Sequence, residues 1–276
     1  MLIGGGNPIL IQSMTNTKTE DVAATVAQIQ KLTKAGCDII RCAVPTMEAA
    51  KALGEIKKKI EIPVVADIHF DYKLALESLN AGVDKIRINP GNIGGEDRVQ
   101  AVVEVCKEKH IPIRIGVNGG SLDKKLLEKY GHPTAEALVE SAFEHLELLE
   151  KQGFYDSCVS MKSSTVPTMV AAARLFREKC DYPLHIGVTE TGPVKQGLIK
   201  SAMGIGALLL EGIFPDGRLS GVRTEVQFSL ILDLGERGNI HTRECVREIF
   251  GDSLVAGHRN TKLSLLLLLR LLAEPA

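Results

Sequence analysis

The sequence predicts an α/β protein of the TIM-type (β/α)₈ barrel class, and three observations lead to that prediction. Short β-rich runs alternate with longer helical patterns over residues 9–213. Several of these runs are apolar throughout, which is typical of parallel strands buried on both faces. The chain has 276 residues, and a barrel of this class commonly needs about 250. A doubly wound sheet shows the same alternation of elements and stays the alternative.

The apolar runs predict seven strands, at Ile9–Ser13, Asp38–Ala43, Pro63–Ile68, Lys85–Asn89, Pro112–Val117, Ser157–Met161 and Leu184–Val188. Seven helices follow them, at Asp21–Ala35, Met47–Lys59, Tyr72–Ala81, Asp97–Lys109, Ala135–Lys151, Thr168–Lys179 and Val194–Leu209. This order implies parallel strands joined by right-handed crossovers. The sequence does not settle the position of the eighth strand. Its candidate is Val226–Leu232, and a helix at His241–Phe250 could follow it.

A break in composition divides the chain into two predicted parts. Up to Ile213 the basic residues are 19 Lys and 6 Arg, and from Phe214 onward they are 1 Lys and 7 Arg. We therefore predict a barrel domain over residues 1–213 and an atypical tail over residues 214–276. The tail offers a substitute eighth β/α unit and an apolar helix at Leu263–Leu272.

Bulk properties exclude several classes of protein. A net charge of −1 lacks the basic excess of a nucleic-acid or membrane-surface binder. The longest apolar run, Leu265–Leu269, is far shorter than the roughly 20 residues of a membrane-spanning helix, and the first residues do not resemble a secretory signal. No cysteine pair forms Cys-x-x-Cys, which argues against a disulfide framework or a metal site. The expectation is a reduced, cytoplasmic protein with no assigned metal ligand, its cysteines being Cys37, Cys42, Cys106, Cys158, Cys180 and Cys245.

Three arginines at the ends of predicted strands point to an anionic substrate. The loops at the carboxyl ends of barrel strands build the active site in this fold. Arg41, Arg87 and Arg114 occur there although lysine is the commoner base in this region. The guanidinium fork suits two-point contacts with phosphate. The alternative is that each arginine is a barrel-mouth residue paired with an acid.

Further polar residues follow the strands at the same face of the predicted barrel. They are Asp67 and His69 after the third strand, Asn89 after the fourth, Asn118 after the fifth, Lys162 after the sixth and Glu190 after the seventh. Four basic groups and one acid, Glu190, at the mouth suit a small substrate that carries more than one phosphate. No Ser–His–Asp order or dinucleotide fingerprint is present.

These residues lie in motifs that resemble the barrel of the 4-hydroxy-3-methylbut-2-en-1-yl diphosphate synthase family. The resembling segments are Ile11–Thr17, Val65–Tyr72, Lys85–Gly94, Ile113–Asn118, Gly187–Glu190 and Gly206–Ile213. The resemblance runs over residues 9–213. It implies a step of the non-mevalonate isoprenoid pathway, in which 2-C-methyl-D-erythritol 2,4-cyclodiphosphate is reductively opened to a linear allylic diphosphate.

The resemblance also implies roles for the polar residues. Diphosphate is gripped by Arg41, Arg87, Arg114 and Lys162, with hydrogen bonds added by Asn89 and Asn118. Asp67, His69 and Glu190 line the site around the carbon skeleton. Among them, Glu190 is the candidate for orienting or protonating a leaving hydroxyl.

The family implies a redox cofactor that this sequence does not provide for. Its [4Fe–4S] cluster is held by three cysteines and a glutamate in a C-terminal domain that begins with Cys-Pro-Thr-Cys-Gly-Arg. No such motif occurs here, and one thiolate at Cys245 cannot anchor a cluster. A ferredoxin or flavodoxin type electron donor and a homodimer are further implications of the resemblance.

Three functional hypotheses remain open from the sequence. The first is an enzyme of this family whose C-terminus is altered. The second is a cluster-less barrel that binds the cyclic diphosphate, or a partner, without catalysis. The third is another phosphate-binding barrel enzyme that acts without a cluster.

Overall fold

The computed structural model describes residues 10–210 and 224–227, and over these residues it confirms the predicted barrel class. Eight parallel strands pair in chain order and close on themselves. They are β1 Leu10–Met14, β2 Ile39–Ala43, β3 Val64–Asp67, β4 Lys85–Ile88, β5 Ile113–Asn118, β6 Ser157–Lys162, β7 Leu184–Ile186 and β8 Thr224–Gln227. The doubly wound alternative is therefore wrong.

Helices follow the strands in the predicted order. They are α1 Val22–Lys34, α2 Met47–Lys57, α3 Tyr72–Asn80, α4 Glu96–Lys109, α5 Lys124–Tyr130, α6 Ala135–Lys151, α7 Val166–Arg177 and α8 Val194–Leu210. Short 3₁₀ turns at Pro90–Asn92 and Gly119–Ser121 follow β4 and β5. Helix α5 was not predicted, because its seven residues are too few to show a clear helical period.

Helix starts follow from local side-chain chemistry. Asp21, Thr46 and Thr134 each accept a hydrogen bond from the backbone N–H three residues later, at the starts of α1, α2 and α6. The predicted start of α7 was two residues late, because Pro167 reads as a helix breaker. Proline is tolerated in the first turn, where its missing N–H has no intrahelical partner.

Strand register decides which residues face the inside of the barrel. On β2, Ile40 and Cys42 belong to the main hydrophobic core, which packs against the helices, so that Arg41 takes the opposite, inner face. Asp67 pairs with Arg87, and Arg87 pairs with Arg114, which keeps all three on that same face. At the level of these residues the inside of the barrel is polar, whereas Leu10, Ile39 and Val65 form a small apolar cluster separate from the main core.

The eighth strand completes the barrel between β7 and β1. Val226 pairs with Ile11 on one side and with Ile186 on the other. The predicted candidate, Val226–Leu232, overlaps this strand at its first two residues. The predicted helices at His241–Phe250 and Leu263–Leu272 lie outside the described residues, and the domain boundary after residue 213 stays a prediction. Among the described helices, none is long and apolar enough to cross a membrane.

Candidate active site in the barrel interior

The three arginines predicted at strand ends lie within the strands, inside the barrel. Arg41 is the third residue of β2, Arg87 the third of β4 and Arg114 the second of β5. Arg87 is next to the last residue of β4, whereas Arg41 and Arg114 lie deeper than the predicted strand ends. They are deeply set, since Arg87 is 6% exposed and Arg114 only 1%. Guanidinium groups at this depth need compensating partners.

Asp67, the last residue of β3, supplies that compensation. Its Oδ1 lies 3.1 Å from Nη1 of Arg87, and its Oδ2 lies 3.5 Å from Nε of Arg41. Nε2 of His69 lies 3.6 Å from the same Oδ1. The structure thus brings three predicted site residues together around the buried carboxylate of a fourth, Asp67. The alternative, in which each arginine is paired with an acid, holds for Arg41 and Arg87.

Opposing effects act on the pKa of Asp67. Burial raises it, but the neighbouring cations, Arg41 first and then Arg87 and Arg114, outweigh burial, so that the pKa lies below its ordinary value. The carboxylate is therefore ionised at neutral pH. It neutralises only part of the positive charge around it.

Arg87 is held in a fixed orientation across two strands. Its Nη2 donates to the backbone oxygen of Gly116 at 3.0 Å, while Nη1 contacts Asp67. A Cβ atom at position 116 would overlap the guanidinium, so glycine allows this approach. Nε of Arg87 is buried and has no hydrogen-bond partner among the described residues.

His185 lies beside Arg114 in the barrel interior and was not among the predicted site residues. It lies on β7, is 1% exposed, and its two ring nitrogens lie 3.2 and 3.1 Å from Nη1 of Arg114. Leu184 and Ile186 join the outer hydrophobic core, so alternation places His185 on the inner face. That alternation was the available signal, hidden because the strand is only three residues long.

Lys162 ends β6 and adds another cation to the interior. It pairs in register with Asn118 of β5 and is buried. Burial, with the positive charges of Arg41, Arg114 and Arg87, holds the pKa of Lys162 well below its ordinary value, although Asp67 opposes the shift. A nearby anion would shift the pKa of Lys162 back upward.

The remaining predicted residues surround the mouth. His69 has about half of its side chain exposed. Asn89, directly after β4, is buried, and its Oδ1 has no hydrogen-bond partner within the described part of the chain. Glu190 is exposed, adopts a φ of 51°, and its carboxylate lies over Gly120 in the turn after β5. A left-handed backbone at a non-glycine residue is uncommon.

The described cysteines do not fit an iron–sulfur cluster. Cys37, Cys42, Cys106 and Cys158 are buried free thiols, and Cys180 is half-buried. Burial raises the pKa of Cys42 to about 11 and that of Cys106 to about 12, whereas cluster ligands are thiolates. Over residues 10–210 and 224–227, no three His, Cys, Asp or Glu side chains converge on a metal-sized site. Cys245 lies outside the described residues.

Comparison with known proteins gives a family match over most of the chain. The model of the GcpE TIM-barrel domain matches residues 1–226, which includes most of β8. A Thermodesulfovibrio yellowstonii protein is 59% identical over 218 residues, covering 79% of this chain and 62% of the relative. A Maridesulfovibrio salexigens protein is 55% identical over 245 residues, covering 86% and 68%. Both relatives are named 4-hydroxy-3-methylbut-2-en-1-yl diphosphate synthase (flavodoxin).

Solved structures support the fold independently. Dihydropteroate synthase from Stenotrophomonas maltophilia superposes with a TM-score of 0.56 at 12% identity, covering 98% of this chain and 96% of that one. The Yersinia pestis enzyme of the same name gives 0.55 at 11% identity, covering 87% and 90%. At such low identity the likeness concerns the barrel alone.

Proposed function

The chain belongs to the family of the GcpE TIM-barrel domain, and on that premise we propose that its barrel binds 2-C-methyl-D-erythritol 2,4-cyclodiphosphate for reductive ring opening. The product would be 4-hydroxy-3-methylbut-2-enyl diphosphate. The chain spans 62% of the length of the first curated relative it matches, so the activity of the whole relative enters here as a proposal.

The observation that carries this proposal is the convergence of four basic side chains inside the barrel. Arg41, Arg87 and Arg114 act on the carboxylate of Asp67, and the same three arginines and Asp67 act on Lys162. A cyclic diphosphate brings two negative charges on rigidly linked phosphates. Such a ligand offsets the mutual repulsion of these cations in a desolvated space, where charge-assisted hydrogen bonds are strong.

The proposed roles follow from the donors and acceptors each residue offers. Arg87 has Nε available for a phosphate oxygen, because its other two nitrogens hold Asp67 and Gly116. The Oδ1 of Asn89 is an acceptor, which suits a hydroxyl of the substrate, and its amide nitrogen can donate to phosphate. Asn118 adds hydrogen bonds beside Lys162, and Arg41 and Arg114 complete the cationic wall.

The acids and His69 are proposed to surround the carbon skeleton. Asp67 orients Arg41 and Arg87, while His69 contacts Asp67 from the mouth. Glu190 is exposed beside the turn after β5, where a carboxyl can orient a leaving hydroxyl or give it a proton.

Ring opening consumes two electrons, which amino-acid side chains do not supply. The family implies a [4Fe–4S] cluster for this purpose, and the described cysteines do not fit one. A flavodoxin or ferredoxin type donor is proposed from the relatives' names and the family, together with a homodimer. The free thiols agree with a reducing compartment such as the cytoplasm.

The second candidate function is a barrel that binds the cyclic diphosphate, or a partner, without catalysis. It requires only the basic side chains inside the barrel and no redox centre. Iron and acid-labile sulfide analysis on anaerobically purified protein separates the candidates. Four irons per chain with turnover support the enzyme, whereas ligand binding without iron supports the binding protein.

Titration calorimetry with the cyclodiphosphate tests the binding site common to both candidates. We expect one ligand per chain, and Arg87→Ala should weaken binding by about 2 kcal/mol, or about 30-fold, because phosphate charge loses a buried partner. Lys51→Ala is the control, since it removes one exposed charge from α2. Equal affinities for wild type and Arg87→Ala would contradict the proposed site.

A further inference from the structure

A cavity lies between the turn that follows β4 and helix α6, and Arg41, Arg87 and Arg114 are not among its lining residues. It has a volume of about 390 Å³, and we call it the α6 cavity because one face of α6 forms a wall. Among its lining residues are Asn89, Gly91, Asp123, Glu144, His145 and Leu148. Asn89 is the residue that this cavity shares with the predicted site.

His145 connects α6 to the turn after β4. The backbone N–H of Gly91 donates to Nδ1 of His145 at 3.3 Å, a contact between residues 54 positions apart. Gly91 lies in the exposed 3₁₀ turn Pro90–Asn92, so this bond ties a surface turn to a helix on the outside of the barrel.

Close packing accompanies the hydrogen bond. A Cβ atom at position 91 would lie 2.6 Å from Cε1 of His145, much closer than real side chains approach. Glycine is needed at this position for the approach of the imidazole, because no positive φ requires it there. Residues 91 and 145 are thus matched in shape as well as in hydrogen bonding.

The protonation state of His145 supports the contact. Burial lowers the pKa of His145 to about 4, although Asp123 opposes the shift. At neutral pH the ring is therefore uncharged, and one of its nitrogens is free to accept the N–H of Gly91. A protonated ring has donors only and could not make this bond.

The turn held by His145 begins at Asn89. The backbone oxygen of Asn89 accepts from the N–H of Asn92 at 2.8 Å, which closes the turn over Gly91. Movement of Gly91 therefore changes the backbone that carries the Asn89 side chain. Because Asn89 directly follows β4, whose Arg87 faces the interior, the turn sets where its amide lies relative to the arginines.

From these contacts we infer that His145 is a positioning residue, which holds the turn after β4 so that Asn89 reads a hydroxyl group of the substrate. The inference rests on the proposed function for the identity of the substrate. Arg41, Arg87, Arg114 and Lys162 would bind the phosphates whether or not His145 is present. His145 thus governs discrimination between the cyclodiphosphate and a plain diphosphate.

Hydrogen exchange tests the hold on the turn without any ligand. The Gly91 amide is exposed, so its protection depends on the bond to His145. We expect His145→Leu to reduce the protection of this amide about tenfold, since one hydrogen bond is lost. His145→Asn should retain most of it, because its Oδ1 can take the place of Nδ1. Equal protection in wild type and His145→Leu would overturn the inference.

Calorimetry with two ligands tests the effect on the site. His145→Leu should weaken the cyclodiphosphate about tenfold and leave the affinity for inorganic pyrophosphate unchanged, with rescue by His145→Asn. Leu148→Ala, which lines the same cavity, is the control for packing. Parallel losses for both ligands would overturn the positioning role. If wild type binds only pyrophosphate, the proposed function fails, and hydrogen exchange still decides the hold on the turn.

Discussion

At the scale of single residues, Asp67 controls the charge balance of the barrel interior. It contacts Arg41, Arg87 and His69, and it is 3% exposed. Removing one partner of a buried ion pair leaves an uncompensated charge, which costs more than the pair contributes. The Asp67 carboxylate is consequently needed for the stability of the buried arginines, and it is also a candidate lining residue of the site.

Asp67→Asn should lower the free energy of unfolding at pH 7 by about 3 kcal/mol or more. Because the folded pKa of Asp67 is lowered, its contribution is complete above the unfolded pKa of about 3.9. It is lost as the pH falls through the folded pKa. Urea unfolding of wild type and Asp67→Asn should therefore be compared at pH 7 and below pH 4. The difference between their free energies of unfolding should be smaller in acid.

Glu128→Gln serves as the control for Asp67→Asn, because it neutralises an exposed acid on α5. Its unfolding curve should stay within about 0.5 kcal/mol of wild type. An Asp67→Asn variant as stable as wild type at pH 7 would mean that the arginines do not depend on this carboxylate.

At the scale of elements, sequence periodicity predicted most of the fold because the outer faces of the strands are apolar. The apolar outer faces predicted seven strands. Much of the interior that these strands enclose is polar. The run Pro112–Val117 is apolar apart from Arg114, and this pattern alone does not show which residues face inward. Arg114 was therefore expected at the strand end, although it is the second residue of β5. Alternation of side chains along β7 would also have placed His185 on the inner face, between Leu184 and Ile186.

Long-range contacts account for what the sequence could not reveal. The approach of His145 to Gly91 joins residues 54 positions apart, and no local pattern encodes it. Glycines after strands 4 and 5 read as ordinary turn residues. Only the structure shows that Gly91 accommodates an imidazole, whereas Gly116, within β5, accommodates a guanidinium.

Gly116→Ala should weaken binding of the cyclodiphosphate about tenfold, because the added methyl group displaces the Arg87 guanidinium. Overpacking should also cost about 1–3 kcal/mol of stability, so calorimetry belongs at a temperature where the variant is fully folded. Gly206→Ala is the matched control, since its Cβ would meet no atom of another described element within 4 Å. Equal affinity in both variants would contradict the packing of Arg87 over Gly116.

At the scale of the whole molecule, closure of the barrel joins the two ends of the described chain. A barrel without its eighth strand would leave the edges of β1 and β7 unpaired. The predicted tail begins after Ile213, and β8 lies within it, while the family match extends to residue 226. Any boundary for the folding unit therefore has to account for the pairing of Thr224–Gln227.

Val226→Pro tests whether β8 closes the barrel. Proline has no N–H to donate and is excluded from central strands, and position 226 pairs with Ile11 and Ile186 on its two sides. We expect a loss of about 3 kcal/mol or more in the free energy of unfolding measured in urea. Lys124→Pro is the control, because it places proline at the first position of α5 after the Asp123 cap, where it is tolerated. If Val226→Pro unfolds at the same urea concentration as Lys124→Pro, the pairing of β8 does not support the barrel, and the folding unit ends before it.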